Sequence, residues 1–261
     1  MNSKYHHQKF PQSRIASFDV YAVGRMKHHV AALLEVDVTD SRKKLKELRK
    51  QGRDVSMNAW LIKAICATLQ KNPEAAAFLS GRRKLITFED VNISLLVERE
   101  VEEQLVPIPL FLEKADKKTP EEITRLIKDA RNKAMQEEDI VLGRKTKMYE
   151  RAYYYLPGFL RRVVWRYMIS RPKLAYRKMG NVVVTSLLMM RQVRGWFIHR
   201  SVHPLSFGIG SIIKKPVVHA DEIKIREILH MTVLMDHDVI DGAPMARFVH
   251  DLTGEIEKGG W

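Results

Sequence analysis

Short strand-like runs alternate with amphipathic helical ones along this chain, and that alternation points to a mixed α/β fold. Residues 28–39, HHVAALLEVDVT, read as a strand with Val36 and Val38 on one face. Asp40 and Ser41 then offer an N-cap for a helix over residues 42–51 that stops at Gly52. A second cap at Ser56 opens MNAWLIKAICATLQKN, where Trp60, Leu61, Ala64, Ile65, Thr68 and Leu69 recur at helical spacing and predict a buried helix ending at Pro73. Residues 91–97 and 105–111 read as strands, the second with two prolines that suit a sheet edge. Thr119 and Pro120 open an amphipathic helix with Glu121 and Glu122 in its first turn. Residues 181–186, 206–218 and 225–235 read as strands, and 243–258 as a closing helix. Ahead of all these, residues 1–20 read as a polar tail, irregular or an edge strand to about Ser17.

Charge is the second constraint. With 45% apolar and 29% charged residues, the 261-residue chain can bury a core, which excludes disorder and collagen-like repeats. Its 45 Lys and Arg against 31 Asp and Glu give +14, a balance that taken whole suggests nucleic acid, anionic lipid or an acidic substrate. The charge is local, however. Residues 144–178 hold eleven Lys or Arg against Glu150 alone, a net +10, which leaves +4 for the rest. The same stretch carries six of the eight tyrosines, with Phe159 and Trp165, in a pattern that reads as two short helices broken at Pro157 and Gly158. Three readings of it stay open: packed helices with solvated arginines, a docking surface for an anionic partner or membrane surface, and nucleic-acid binding. The last is not expected, because no zinc spacing, helix-turn-helix or aromatic RNA motif accompanies the charge.

A lone cysteine, Cys66, excludes an intrachain disulfide framework and a thiolate metal cluster and fits a reducing compartment. The N-terminal residues have no apolar segment of signal-peptide type, and no run approaches the roughly 20 apolar residues of a membrane span. A cytoplasmic location is the expectation. His199 and His203 lie four apart, the spacing of helical metal ligands, but without an HExxH pattern or a third ligand no metal site is expected.

The residues most suggestive of chemistry are Asp236 to Gly242, DHDVIDG, between a strand-like run and a helix. A histidine at such a junction can present one ring nitrogen to a cleft while the other is fixed by a local acceptor. Near neutral pH it can take the proton of a thiol of pKa about 8.5.

At these residues the chain resembles the catalytic domain of the dihydrolipoyl acyltransferases of 2-oxo acid dehydrogenase complexes, relatives in fold of chloramphenicol acetyltransferase. Their DH-Arg-x-x-DG signature is occupied by Asp236, His237, Asp241 and Gly242. HHVAALLEVDVT, VSMNAWLIKAICATLQKNPEAAA, LVPIPLFLEKADKKTPEEITRLIKDAR, GNVVVTSL and FGIGSIIKKPVV resemble further family segments in the right order, over roughly residues 23–254. The resemblance implies an α/β fold, an α+β two-layer sandwich of mixed sheet under helices, spanning residues 21–261 with a basic aromatic insertion at about 144–178. It implies an acyltransferase that moves an acyl group between a thioester, acyl-CoA or acyl-dihydrolipoyl, and a second thiol or other nucleophile.

His237 would be the general base and Thr185 the hydroxyl that stabilises the oxyanion, with Ser186 its substitute in a shifted register. Asp241 would orient the loop, Gly242 would permit its turn, and His29 would lie near the substrate channel. No tightly bound cofactor is implied; coenzyme A or a lipoyl group enters as substrate, with acyl-CoA or a lipoylated carrier protein as partner. The family builds its site between subunits of a trimer, so a homotrimer or a multiple of trimers is expected.

Four departures bear on this. The arginine after the histidine is Asp238, which would favour the charged imidazole if it pointed inward; outward exposure is the expectation. Serine is replaced by Thr185, followed by Leu187, Leu188, Met189 and Met190 in place of small residues. No lipoyl domain or linker precedes residue 20, so a stand-alone catalytic domain is expected, and the basic segment is the least family-like part. The alternative function is a catalytically impaired trimeric scaffold or binding protein of the same fold.

Overall fold

The computed structural model describes residue 6 and residues 15–81, 83–101, 104–132, 153–188 and 194–258. Among these the order is α1 (Ile15–Gly24), β1 (His29–Asp37), α2 (Thr39–Lys50), α3 (Met57–Lys71), β2 (Phe78–Ser80), β3 (Lys84–Ile86), β4 (Ile93–Val101), β5 (Gln104–Leu112), α4 (Pro120–Asn132), α5 (Gly158–Ile169), α6 (Pro172–Met179), β6 (Val182–Ser186), β7 (Leu205–His219), β8 (Glu222–Asp236) and α7 (Gly242–Lys258). Six strands form one sheet in the order β1-β8-β7-β6-β4-β5. The two β6 pairings are parallel and the other three antiparallel, so the sheet is mixed. Strands β2 and β3 form a small hairpin of their own.

The main core joins this sheet to α3, α4 and α7. Leu61, Ile62 and Ile65 of α3, Ile123 and Ile127 of α4, and Phe248 and Leu252 of α7 pack with Val182, Val184, Phe207, Met231 and Val233 of the sheet. All six apolar-face positions read for α3 are buried, each large one worth about 1.5–3 kcal/mol relative to exposure. Ser56 caps α3 through its side chain, which accepts from the Ala59 amide at 3.2 Å. Thr119 and Glu122 form a reciprocal capping box on α4, each side chain accepting from the other residue's amide. The prolines of β5 sit on an edge strand, where their missing donors cost no ladder bond on the open side.

Two local expectations change, and a third gains a second break. A helix, α1, starts at Ile15 within the segment read as tail. The carboxylate at the start of α2 is Asp37, which accepts from the Thr39 amide at 3.0 Å and hydroxyl at 2.6 Å; Asp40 and Ser41 lie inside the first turn. The basic segment breaks at Pro157 as read, between a 3-10 turn at Tyr153–Tyr155 and helix α5 at Gly158, and breaks again between α5 and α6, at Ser170 and Arg171. Residues 144–152 of that segment lie outside the described residues, as do Met189 and Met190.

The inner sides of α1, α5 and α6 form a second cluster, with Val23, Phe78, Ala175, Met179 and Val202 flanked by Trp165, Met168 and Ile169. Its polar centre is Asp19, only 2% exposed, which accepts from Arg161 Nε at 2.7 Å and the Tyr153 hydroxyl at 2.6 Å. Tyr153 in turn accepts from Trp165 Nε1 at 2.8 Å. Arg161 is therefore part of the packing of the basic segment. The same neighbourhood needs glycine at 180, where φ is +80° and an added Cβ would stand 2.3 Å from the Asn92 carbonyl oxygen.

Candidate active site

His237 follows β8 directly, and its loop is anchored to the start of β1. The His237 amide donates to the His28 carbonyl at 2.9 Å, while His29 pairs with Asp236 in the ladder. The Asp236 carboxylate is fully buried and holds Lys27 Nζ at 2.6 Å, and its carbonyl accepts from the Val239 and Ile240 amides. Burying one carboxylate without its cation would cost several kcal/mol, so Lys27 and Asp236 lock the loop as a pair. Sequence reading missed Lys27, whose partner is 209 positions away.

The resulting loop leaves the His237 side chain half exposed. Its Nδ1 lies 3.8 Å from the Asp241 carboxylate, near enough to attract an imidazolium but too far for a hydrogen bond. The Asp241 carbonyl accepts from the Met245 amide and so starts α7. Gly242 departs from the expected role: it has no positive φ, and an added Cβ there would meet nothing within 4 Å. Asp238 turns outward, with its carboxylate 2.9 Å from His28 Nδ1.

Beneath the loop lie three histidines that burial holds neutral. His29 Nε2 donates to the His203 carbonyl at 2.9 Å, and desolvation keeps its pKa below the ordinary value. Desolvation likewise lowers His199 and His203 to about 4. His203 Nε2 donates to the Met179 carbonyl at 3.0 Å, and His199 Nε2 pairs with the Ser206 hydroxyl. Bound within the fold in this way, they form no metal-ligand cluster among the described residues. Burial also pushes the Cys66 thiol up to about 12, which removes it as a nucleophile near neutral pH.

Thr185 and Ser186 fall on opposite faces of β6. Ser186 Oγ donates to Asn58 Oδ1 at 3.0 Å, on the side of α3; Asn58 was not legible as a site residue because the contact spans 128 positions. Thr185 lies opposite Gly208 on β7, and Gly208 lies opposite Thr232 on β8. His237 is five residues past Thr232, and two strand spacings separate β6 from β8. At about 3.3 Å per residue and about 4.8 Å per strand, Thr185 and His237 of one chain are roughly 19 Å apart. One chain therefore does not bring its own Thr185 and His237 to a common reacting atom. Two surface clefts, one lined by Leu69, Pro73, Ala76 and Asn181 and the other by Arg53, Asp54, Glu121 and Lys128, do not include His237.

Comparisons with known proteins fit this architecture. The Bacillus subtilis lipoamide acyltransferase component of the branched-chain alpha-keto acid dehydrogenase complex is 25% identical over 240 residues, 88% of this chain and 47% of the relative. The chain thus spans about half the length of that relative. The crystal structure of a probable dihydrolipoamide acetyltransferase from Listeria monocytogenes matches with a TM-score of 0.66 at 20% identity, covering 99% of this chain and 96% of the other. An Azotobacter vinelandii dihydrolipoamide acetyltransferase, investigated for the roles of a serine, a histidine and an asparagine in its catalytic mechanism, matches with a TM-score of 0.69 at 16% identity over 98% and 92%. The family model of the 2-oxoacid dehydrogenases acyltransferase catalytic domain matches residues 22–144 and 207–259. It leaves out the basic segment and β6 with Thr185, and takes in the His237 loop. Matched over more than half its length, the chain belongs to the 2-oxoacid dehydrogenase acyltransferase (catalytic domain) family.

Proposed function

We propose that this chain is an acyltransferase whose site is completed between neighbouring copies, with His237 of one chain and Thr185 of the next. The observation that carries this reading is the half-exposed His237 on a loop held by the buried Lys27–Asp236 pair. In the reaction the imidazole takes the proton of an incoming thiol, and the thiolate attacks the thioester carbonyl carbon. The oxyanion of the tetrahedral intermediate accepts a hydrogen bond from the Thr185 hydroxyl. Collapse breaks the original C–S bond, and the imidazolium returns its proton to the departing thiolate. Atoms and charge balance without a metal or a redox partner.

The relatives' names support a dihydrolipoyl group as one thiol carrier, here brought on a lipoylated protein, and acyl-CoA is the other carrier in this reading. The residues investigated in the Azotobacter protein support the assignment by spacing: serine to histidine 52 positions and histidine to asparagine four, as Thr185, His237 and Asp241 are spaced here. A site shared between copies, as a homotrimer or a multiple of trimers would provide, is supported by the roughly 19 Å between Thr185 and His237 within one chain. It is also supported by the β7–β8 hairpin, which runs beyond the end of β1 with Val218, Ile223 and Ile225 exposed. A two-stranded projection of that kind is marginal alone and gains from a partner. Asp238, paired with His28, faces away from the base, which favours catalysis over an impaired scaffold. A lone free cysteine, Cys66, supports a reducing compartment such as the cytoplasm.

The test is transfer from acetyl-CoA to dihydrolipoamide by the purified protein and by H237A. The variant should fall by about 10²–10⁴-fold, the usual worth of a general base. Equal turnover by both proteins would remove this function.

A further inference from the structure

The acyl transfer proposed above does not use the outward face of α5. This twelve-residue helix contains no fully buried residue. Its inner side, through Arg161, Trp165, Met168 and Ile169, seats it on the second core cluster. Its outer side presents Phe159, Leu160, Val163, Val164 and Tyr167, each between 39% and 61% exposed. At 100° per residue these five occupy one continuous apolar arc, and Arg162 and Arg166 border it on one flank. Beyond its C-terminal end, the Arg171 guanidinium lies over the Tyr167 ring at 4.4 Å, and Lys173 and Arg177 are exposed on α6. Among the described residues Arg162, Arg166, Lys173 and Arg177 make no ion pair, whereas Arg161 is paired with the buried Asp19. One side of α5 is thus satisfied by folding, and the other combines exposed apolar bodies with uncompensated guanidinium groups.

We propose that this face docks peripherally on an anionic lipid surface, with α5 lying in the plane of the interface. Phe159, Val163 and Tyr167 enter the boundary between headgroups and acyl chains, and Arg162, Arg166 and Arg171 meet lipid phosphates and carboxylates. Charge selects this occupant over a second copy: a self-complementary contact sets Arg162, Arg166 and Arg171 against the same cations of the other copy, and the 226 residues outside 144–178 are themselves net positive at +4. Attachment is peripheral, since no helix among the described residues is long and apolar enough to cross a membrane.

The experiment is vesicle co-sedimentation of the whole protein with phosphatidylserine-containing and pure phosphatidylcholine vesicles, alongside R162Q/R166Q and F159S/V163S, with solution mass and acetyl transfer measured for each. The wild type should favour the anionic vesicles by at least about tenfold, and each double variant should lose about tenfold or more of that binding. Mass and transfer should stay unchanged, because these side chains lie on the solvent side and outside the acyl site. R162Q/R166Q removes no apolar contact and keeps the test valid if F159S/V163S folds poorly. Equal binding to both vesicle types, or anionic binding untouched by R162Q/R166Q, would overturn the proposal. So would a drop in mass on substitution, which assigns the face to a neighbouring copy, or retention on polyglutamate without vesicle binding, which assigns it to an acidic polypeptide.

Discussion

Single residues set the chemistry and its cost. Lys27 and Asp236 are the least replaceable pair near His237, because Asp236 is fully buried and Lys27 nearly so. K27M strands that carboxylate and should lower stability by about 3–5 kcal/mol in urea unfolding. A loss below about 1 kcal/mol would show that water or another cation replaces the lysine. Thr185 carries a different cost, since its proposed role is one hydroxyl donor. T185A should reduce acetyl transfer by about 10²-fold or more while T185S stays near wild type, in parallel rate measurements on folded protein. If T185A keeps full activity, another donor holds the oxyanion.

Elements explain how much of this was legible. Helix α3 was readable because its cap, periodicity and terminating proline are local: S56A should cost about 1 kcal/mol in thermal or urea unfolding, and no measurable loss would mean the Thr124 contacts take over the capping role. The capping box of α4 and the edge position of β5 were equally local, one written in Thr119 and Glu122 and the other in two prolines. Helix α1 was not legible, because its stabilising partner, the Asp19 carboxylate held by Arg161 and Tyr153, lies 134 to 142 positions away. The second break of the basic segment, between α5 and α6, went unread although Pro172 marks it by opening α6. Its missing amide falls among the unpaired donors of the first turn of α6, where proline costs no helical hydrogen bond. At the candidate site, the strand-to-helix loop that carries His237 was legible from its motif. The surroundings that fix it, Lys27, His28 and the buried histidines, came from long-range pairing that local periodicity does not encode.

At the scale of the whole molecule, pH acts through the buried histidines. His199 and His203 titrate near 4 in the folded chain and near 6.5 when unfolded, so the unfolded state binds more protons between those values. Their contribution to stability is complete above about pH 6.5 and is lost as pH falls toward 4. The urea midpoint should therefore drop across that window; a flat profile would mean that these rings are solvated in solution. Assembly is the other global property, and under the proposed shared site it decides whether catalysis occurs. H237A and T185A should each be nearly inactive when pure, yet co-assembly should return about a quarter of wild-type acetyl transfer. Random pairing joins an intact histidine to an intact threonine from the next copy at one site in four. If the co-assembled mixture stays at the level of the two separate variants, His237 and Thr185 do not share a site across neighbouring chains.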